Sequence, residues 1–120
     1  MGLQLPPTSP PTAPFAEASA SLLPLLSALG SVFNFATKDL TTKRADLLAC
    51  AAAYPTLDVL IAADVAAGTV WTKNSHSRNL HRVTMTLKFL NRLGVYLRED
   101  PNATLSACAA KVWYALGRRL

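Results

Sequence analysis

Apolar residues recur along this chain at three- and four-residue intervals, and no segment alternates with the two-residue period of a strand. The pattern therefore predicts helices throughout. A first helical stretch runs from Phe15 to Leu29, with a break expected at Pro24 because proline lacks the amide a helix interior bonds. Gly30 is the expected stop, and Ser31 the expected cap of a second helix. In that helix Val32, Phe35, Ala36, Leu40, Leu47 and Leu48 form the apolar seam while Lys38, Lys43 and Arg44 leave it. Tyr54-Pro55-Thr56 breaks the chain, and Thr56 caps a helix carrying Leu57, Leu60, Ile61 and Val65 towards Gly68. A longer helix spans about Ser75 to Leu97, with Leu80, Val83, Leu87, Leu90 and Leu93 as its seam and Ser75 or Ser77 as its cap. After the Asp100-Pro101-Asn102 turn, a last helix covers Thr104 to Leu116.

Within this apolar pattern two polar pairs stand out. Arg78 and Arg82, in Ser75-His76-Ser77-Arg78-Asn79-Leu80-His81-Arg82, lie four residues apart and share one helix face. Asp39 and Lys43 repeat the interval on the second helix. Brought together, three cations and one carboxylate suit a phosphorylated ligand that also carries an amide. On spacing alone, Arg78 and Arg82 equally suit a solvated helix face, and Asp39 with Lys43 a surface pair contributing about 0.2–0.5 kcal/mol.

Composition narrows the classes. A chain of 120 residues holds one domain with a modest core, and 51% hydrophobic against 16% charged residues means that much apolar surface has to be covered. The formal charge of +5 favours acidic partners, either phospholipid headgroups or nucleic acid. Nucleic acid ranks low, because the cations are scattered and form no recognition helix. Cys50 and Cys108 fit neither a disulfide scaffold nor a zinc site, so a reducing, cytoplasmic compartment is expected. His76 and His81 are expected to cap or face solvent, since no third metal ligand has suitable spacing. No cofactor is implied. Nor is an enzyme, for no nucleophile and base are paired.

Residues 1–14 carry five prolines and no signal-peptide pattern, so they read as a disordered tail ahead of a domain at 15–120. Gly2 is not followed by the Ser or Thr that myristoylation requires; Pro6 stands there. The charge-free run between Glu17 and Lys38 is broken by Pro24, Gly30 and Asn34, which favours buried helices over a membrane span. Trp71 and Trp113 are expected in the core, although Trp71 beside Lys73 also suits a bilayer interface. Asn102-Ala103-Thr104 matches a glycosylation sequon that a chain without a secretory signal does not use.

Several segments together resemble the glycolipid transfer protein family: Phe15-Ala16-Glu17-Ala18, Pro24 to Gly30, the Asp39/Lys43 pair, Leu57-Asp58, Asp64-Val65, Thr69-Val70 and above all Ser75 to Arg82. Within it the pattern is similar to the plant accelerated-cell-death branch, whose members bind ceramide-1-phosphate. The resemblance runs from about Phe15 to Lys111. It implies an all-α, two-layer helical sandwich that holds one sphingolipid, transfers it between membranes and touches them transiently and peripherally. It assigns the phosphate to Lys43, Arg78 and Arg82, and the ceramide amide N–H to Asp39. The chemistry agrees: guanidinium forks match phosphate oxygens, and an ionised aspartate accepts from an amide. Sugar-binding members use a stacking tryptophan that the Arg78/Arg82 helix does not show.

The resemblance fades after Lys111, where Trp113 to Leu120 departs from the family pattern. Family members continue with a histidine that completes the amide site and with helices that close the hydrocarbon sheath. Neither His76 nor His81 substitutes for it, since both lie within the arginine motif. The sandwich is therefore expected to be incomplete at its C-terminus, leaving Leu57, Leu60, Leu80 and Leu87 partly uncovered. The alternative reading is a lipid-incompetent helical fragment that associates with itself or a partner through that face.

Overall fold

The computed structural model describes residues 9–117, apart from the side chain of Val32. Among the described residues six α-helices follow in order: α1 (Thr12–Ala18), α2 (Leu22–Ala28), α3 (Asn34–Cys50), α4 (Leu57–Ala67), α5 (His76–Glu99) and α6 (Leu105–Gly117). Short 3₁₀ turns at Ser19–Ser21 and Ser31–Phe33 lead into α2 and α3. The all-α expectation holds among the described residues. None of their helices is long and apolar enough to cross a membrane.

The central unit is the α3–α5 pair; α1 and α2 pack on α3, while α4 and α6 pack on α5. Leu26, Leu40, Leu47, Leu60 and Val83 are almost fully buried in the main core. A second cluster of Leu93, Cys108 and Val112 joins α6 to the far half of α5.

Residues 10–12, ahead of the boundary expected at 15, are packed against the body of the structure. Pro10 and Pro11 run alongside the Tyr54–Thr56 break: Leu57 N–H donates to Pro10 O at 3.0 Å and Thr12 N–H to Pro55 O at 2.9 Å. Thr12 is buried, and its hydroxyl donates to Tyr54 O at 2.6 Å. Pro14 falls in the first turn of α1, where the missing amide would have had no helical partner anyway. The reading of a tail and of Gly2 at residues 1–8 lies outside the described residues, as does the drift at 118–120.

Pro24 displaces the expected break rather than occupying it. It sits in the first turn of α2, and the interruption falls upstream in the 3₁₀ turn at Ser19–Ser21. Gly30 ends this arm at φ +102°, a conformation that L side chains rarely adopt. Ser31 makes no capping bond and α3 starts at Asn34. Gly68 closes α4 in the left-handed region at φ +70°.

Burial departs from the expected pattern at several positions, Ile61 and Val65 of α4 being exposed as well. Phe35, 63% exposed, lies on the α3 stripe of Asp39 and Lys43 rather than in the core. Arg44 turns back, and its Nε–H donates to Ala16 O at 2.8 Å, tying α3 to α1. Leu57, Leu60 and Leu80 are buried, so of the four leucines expected to be uncovered only Leu87 is exposed. Trp71 and Trp113 are both exposed, contrary to their expected burial.

Candidate functional site

Helices α3 and α5 run antiparallel, and three contacts fix their register. The Phe33 and Phe89 rings are 6.0 Å apart at one end, Asp39 meets Arg82 in the middle, and Asp46 meets His76 at the other end. This register aligns two stripes. On α3, Phe35, Asp39 and Lys43 follow at four-residue steps; on α5, Arg78 and Arg82 lead to Met85 and Phe89. The polar parts of both stripes therefore coincide at one end, and the apolar parts at the other.

At the polar end a cavity of about 240 Å³ is lined by Asp39, Lys43, Lys73, Asn74, Arg78, Asn79 and Arg82. All four residues expected at the site are brought together here. Arg82 Nε–H donates to Asp39 Oδ2 at 3.3 Å, and Lys43 Nζ lies 3.8 Å from Asp39 Oδ1. Four cations against one carboxylate leave a formal excess of +3 (4 − 1) around the opening. An anion with several acceptor oxygens matches that excess.

A second cavity of about 330 Å³ opens beside it, lined mainly by apolar groups that include Leu26, Phe33, Phe35, Met85, Phe89 and Trp113. Asp39 and Arg82 border both cavities. The exposed Phe35 and Trp113 thus have a common explanation, since each is a wall of this cleft.

The start of α5 is held from two sides. Ser75 rather than Ser77 is the cap, its Oγ accepting from Arg78 N–H at 3.1 Å. From α4, Asp64 accepts Ser77 N–H at 2.8 Å and the Thr69 hydroxyl at 2.7 Å. Partial burial opposes ionisation of Asp64, yet hydrogen bonding from Ser77 and Thr69 and the nearby His76 outweigh it and hold its carboxyl below the usual range.

Behind the cavity, Asp46 Oδ2 pairs with both His76 Nδ1 and Asn79 Nδ2, each at 2.8 Å, and the Tyr54 ring packs against His76. His76 is therefore part of an interhelical network, not a cap. Asp46, Cys50 and His76 bring their ligand atoms within 4.8 Å, a grouping that linear spacing did not reveal. Burial, reinforced by the charge of Asp46, raises the Cys50 thiol above its ordinary pKa, which keeps it protonated. Asn79 Oδ1 is buried without a partner among the described residues. His81 meets Trp71 edge-on at 5.3 Å.

Lys73, Asn74 and Asn79 were missed as site residues. Asn79 lies inside the arginine motif, and Lys73 and Asn74 immediately precede it, so proximity in sequence was the available signal. What sequence does not show is that the α4–α5 loop folds over the cavity.

The antiparallel pair α3 and α5 thus carries a cationic cavity at one end and an apolar cleft at the other. The chain belongs to the glycolipid transfer protein (GLTP) family, whose profile matches residues 10–114. It is 35% identical over 83 residues to accelerated cell death 11 of Arabidopsis thaliana, covering 69% of this chain and 40% of that protein. It is 34% identical over 79 residues to the Arabidopsis ACD11 homolog protein, covering 66% of this chain and 34% of that one. Among solved structures, an aspartate-to-asparagine mutant of Arabidopsis ACD11 complexed with C12 ceramide-1-phosphate superposes with a TM-score of 0.83 at 28% identity, covering 93% of this chain and 56% of that one. The apo form of ACD11 gives 0.80 at 29% identity, with coverages of 92% and 57%. The chain thus spans less than half of these curated relatives and somewhat more than half of the solved chains.

Proposed function

We propose that this chain binds a sphingolipid ending in a phosphate, ceramide-1-phosphate, and carries it between membranes. The observation that carries the reading is the adjacency of the two cavities, which share Asp39 and Arg82 as their border. An amphipathic ligand placed across that border puts its phosphate against Lys43, Arg78 and Arg82. Its amide N–H then meets Asp39, and its hydrocarbon enters the cleft at Phe33, Phe35, Met85, Phe89 and Trp113. The complexes of ACD11 with ceramide-1-phosphate support the choice of ligand. No bond is made or broken in such a cycle, so binding and release account for the activity without catalysis.

The apolar cavity, at about 330 Å³, falls at the lower end of the range for ligand sites, roughly 300–1,000 Å³. The exposed Trp71 beside Lys73, near the polar opening, fits a transient contact with an anionic membrane surface. Free, buried Cys50 and Cys108 fit a reducing cytoplasmic setting. A second reading, association through an uncovered helix face, is supported by α4, where Ile61 and Val65, one turn apart, are both exposed.

The test is lipid transfer between vesicles by the purified chain. Ceramide-1-phosphate should move and a neutral glycosylceramide should move far more slowly, because clustered cations left without an anion are costly. Equal movement of both lipids would refute headgroup recognition. Movement of neither, with a self-associated chain, would favour the second reading.

A further inference from the structure

The four cations of the polar cavity are not equivalent. Lys43 and Arg82 are both engaged by Asp39, whereas Arg78 and Lys73 have no carboxylate partner among the described residues. Arg78 belongs to the arginine pair already assigned to phosphate. Lys73 comes from a different element, the loop between α4 and α5.

That loop is closed by consecutive turns. Thr72 N–H donates to Thr69 O at 3.1 Å, Ser75 N–H to Thr72 O at 2.9 Å, and the Ser75 hydroxyl to Val70 O at 2.9 Å. Asn74 adopts φ +67°, a left-handed conformation that asparagine tolerates better than most residues. The backbone under Lys73 is thereby fixed, and the residue forms part of the wall of the cavity that Arg78 also lines.

We propose that Lys73 is a specificity-determining residue that selects headgroups ending in a phosphomonoester against those whose phosphate continues to a cationic amine. This rests on the phospholipid reading above. A terminal phosphate has three non-bridging oxygens and carries about −1.5 to −2 charges near neutrality; a phosphodiester has two and carries about −1. Lys43, Arg78 and Arg82 saturate two oxygens readily, and the compact, mobile ammonium of Lys73 supplies a donor for the third. With a formal excess of +3, the cavity stays cationic even around a dianion. A phosphocholine group offers Lys73 no third oxygen and places its own cation against the wall, so Lys73 repels the diester while it holds the monoester.

The experiment compares the unmodified chain, Lys73→Ala, Lys73→Arg and Arg82→Ala. Short-chain ceramide-1-phosphate and short-chain sphingomyelin are titrated as monomers without vesicles, so that attraction of Lys73 to a membrane does not contribute. The unmodified chain should prefer the monoester. Lys73→Ala should weaken monoester binding about tenfold and narrow the preference, and Lys73→Arg should keep most of both, with melting temperatures unchanged. If Lys73→Ala leaves the preference intact while Arg82→Ala loses binding, the role of Lys73 is refuted and the phospholipid reading survives. If the unmodified chain binds neither lipid, both fall.

Discussion

Asp39 Oδ2 accepts a hydrogen bond from Arg82 Nε at 3.3 Å although 43 residues separate them. The bond joins α3 to α5 at the border between the cationic cavity and the apolar cleft. It sets one carboxylate among cations that would otherwise repel one another, while Lys43 holds the other oxygen of Asp39. The partly exposed geometry limits its contribution to stability to about 0–1 kcal/mol. Under the proposed function its importance lies in ligand placement.

Removing either arginine should therefore cost affinity and spare the fold. Arg78→Ala and Arg82→Ala are each expected to weaken ceramide-1-phosphate binding by about 1.5–3 kcal/mol, the range for charge-assisted bonds. Arg78→Lys should restore only part of it, because an ammonium lacks the planar fork. Calorimetric titration with parallel thermal melts checks this, and lost stability with intact affinity would assign the arginines a structural role.

Phe35 is an apolar wall of the cleft, and its 63% exposure means that the core does not depend on it. Phe35→Ser should reduce lipid affinity by about 1–2 kcal/mol through lost apolar contact, with stability changed by only about 0.5 kcal/mol. Leu47→Ala, at a fully buried site, should instead cost about 2–5 kcal/mol of stability. Denaturant unfolding beside a binding titration separates the two effects.

Asp64 should make the chain sensitive to acid. Its carboxyl is held below the usual range when folded, so its stabilising contribution is fully present above the unfolded pKa, near 4. That contribution is lost as pH falls through the lower folded value. Asp64→Asn should lower the melting temperature at pH 7 and flatten its decline in acid. An identical acid limb in the variant would exclude Asp64 as a source.

Asp46 supports the site from behind. Asp46→Ala leaves His76 and the buried Nδ2 of Asn79 without their common acceptor, for an expected loss of about 1–3 kcal/mol. Since Asn79 and Arg78 are neighbours on the first turns of α5, headgroup affinity should fall as well. Unchanged unfolding and unchanged binding together would show that the network is dispensable.

Periodicity determined the helices and most of the core, because burying one stripe of an α-helix leaves a direct trace in the order of residues: Leu40 and Leu47 on α3, Val83 and Leu93 on α5. Four-residue spacing likewise put Arg78 with Arg82 and Asp39 with Lys43, since that interval is a property of one helix. Resemblance to the family is what joins the two pairs into one expected site. Spacing within a helix carries no information about which helix lies opposite or in which direction. The antiparallel register that sets Phe33 on Phe89, Asp39 on Arg82 and Asp46 on His76 was decided only by tertiary packing. The same packing turned Phe35 from a presumed core residue into a cleft wall, and the closed α4–α5 loop brought Lys73 to the cavity. Local sequence fixes which face of a helix is apolar, whereas the choice between covering that face and leaving it open for a ligand belongs to the elements packed around it.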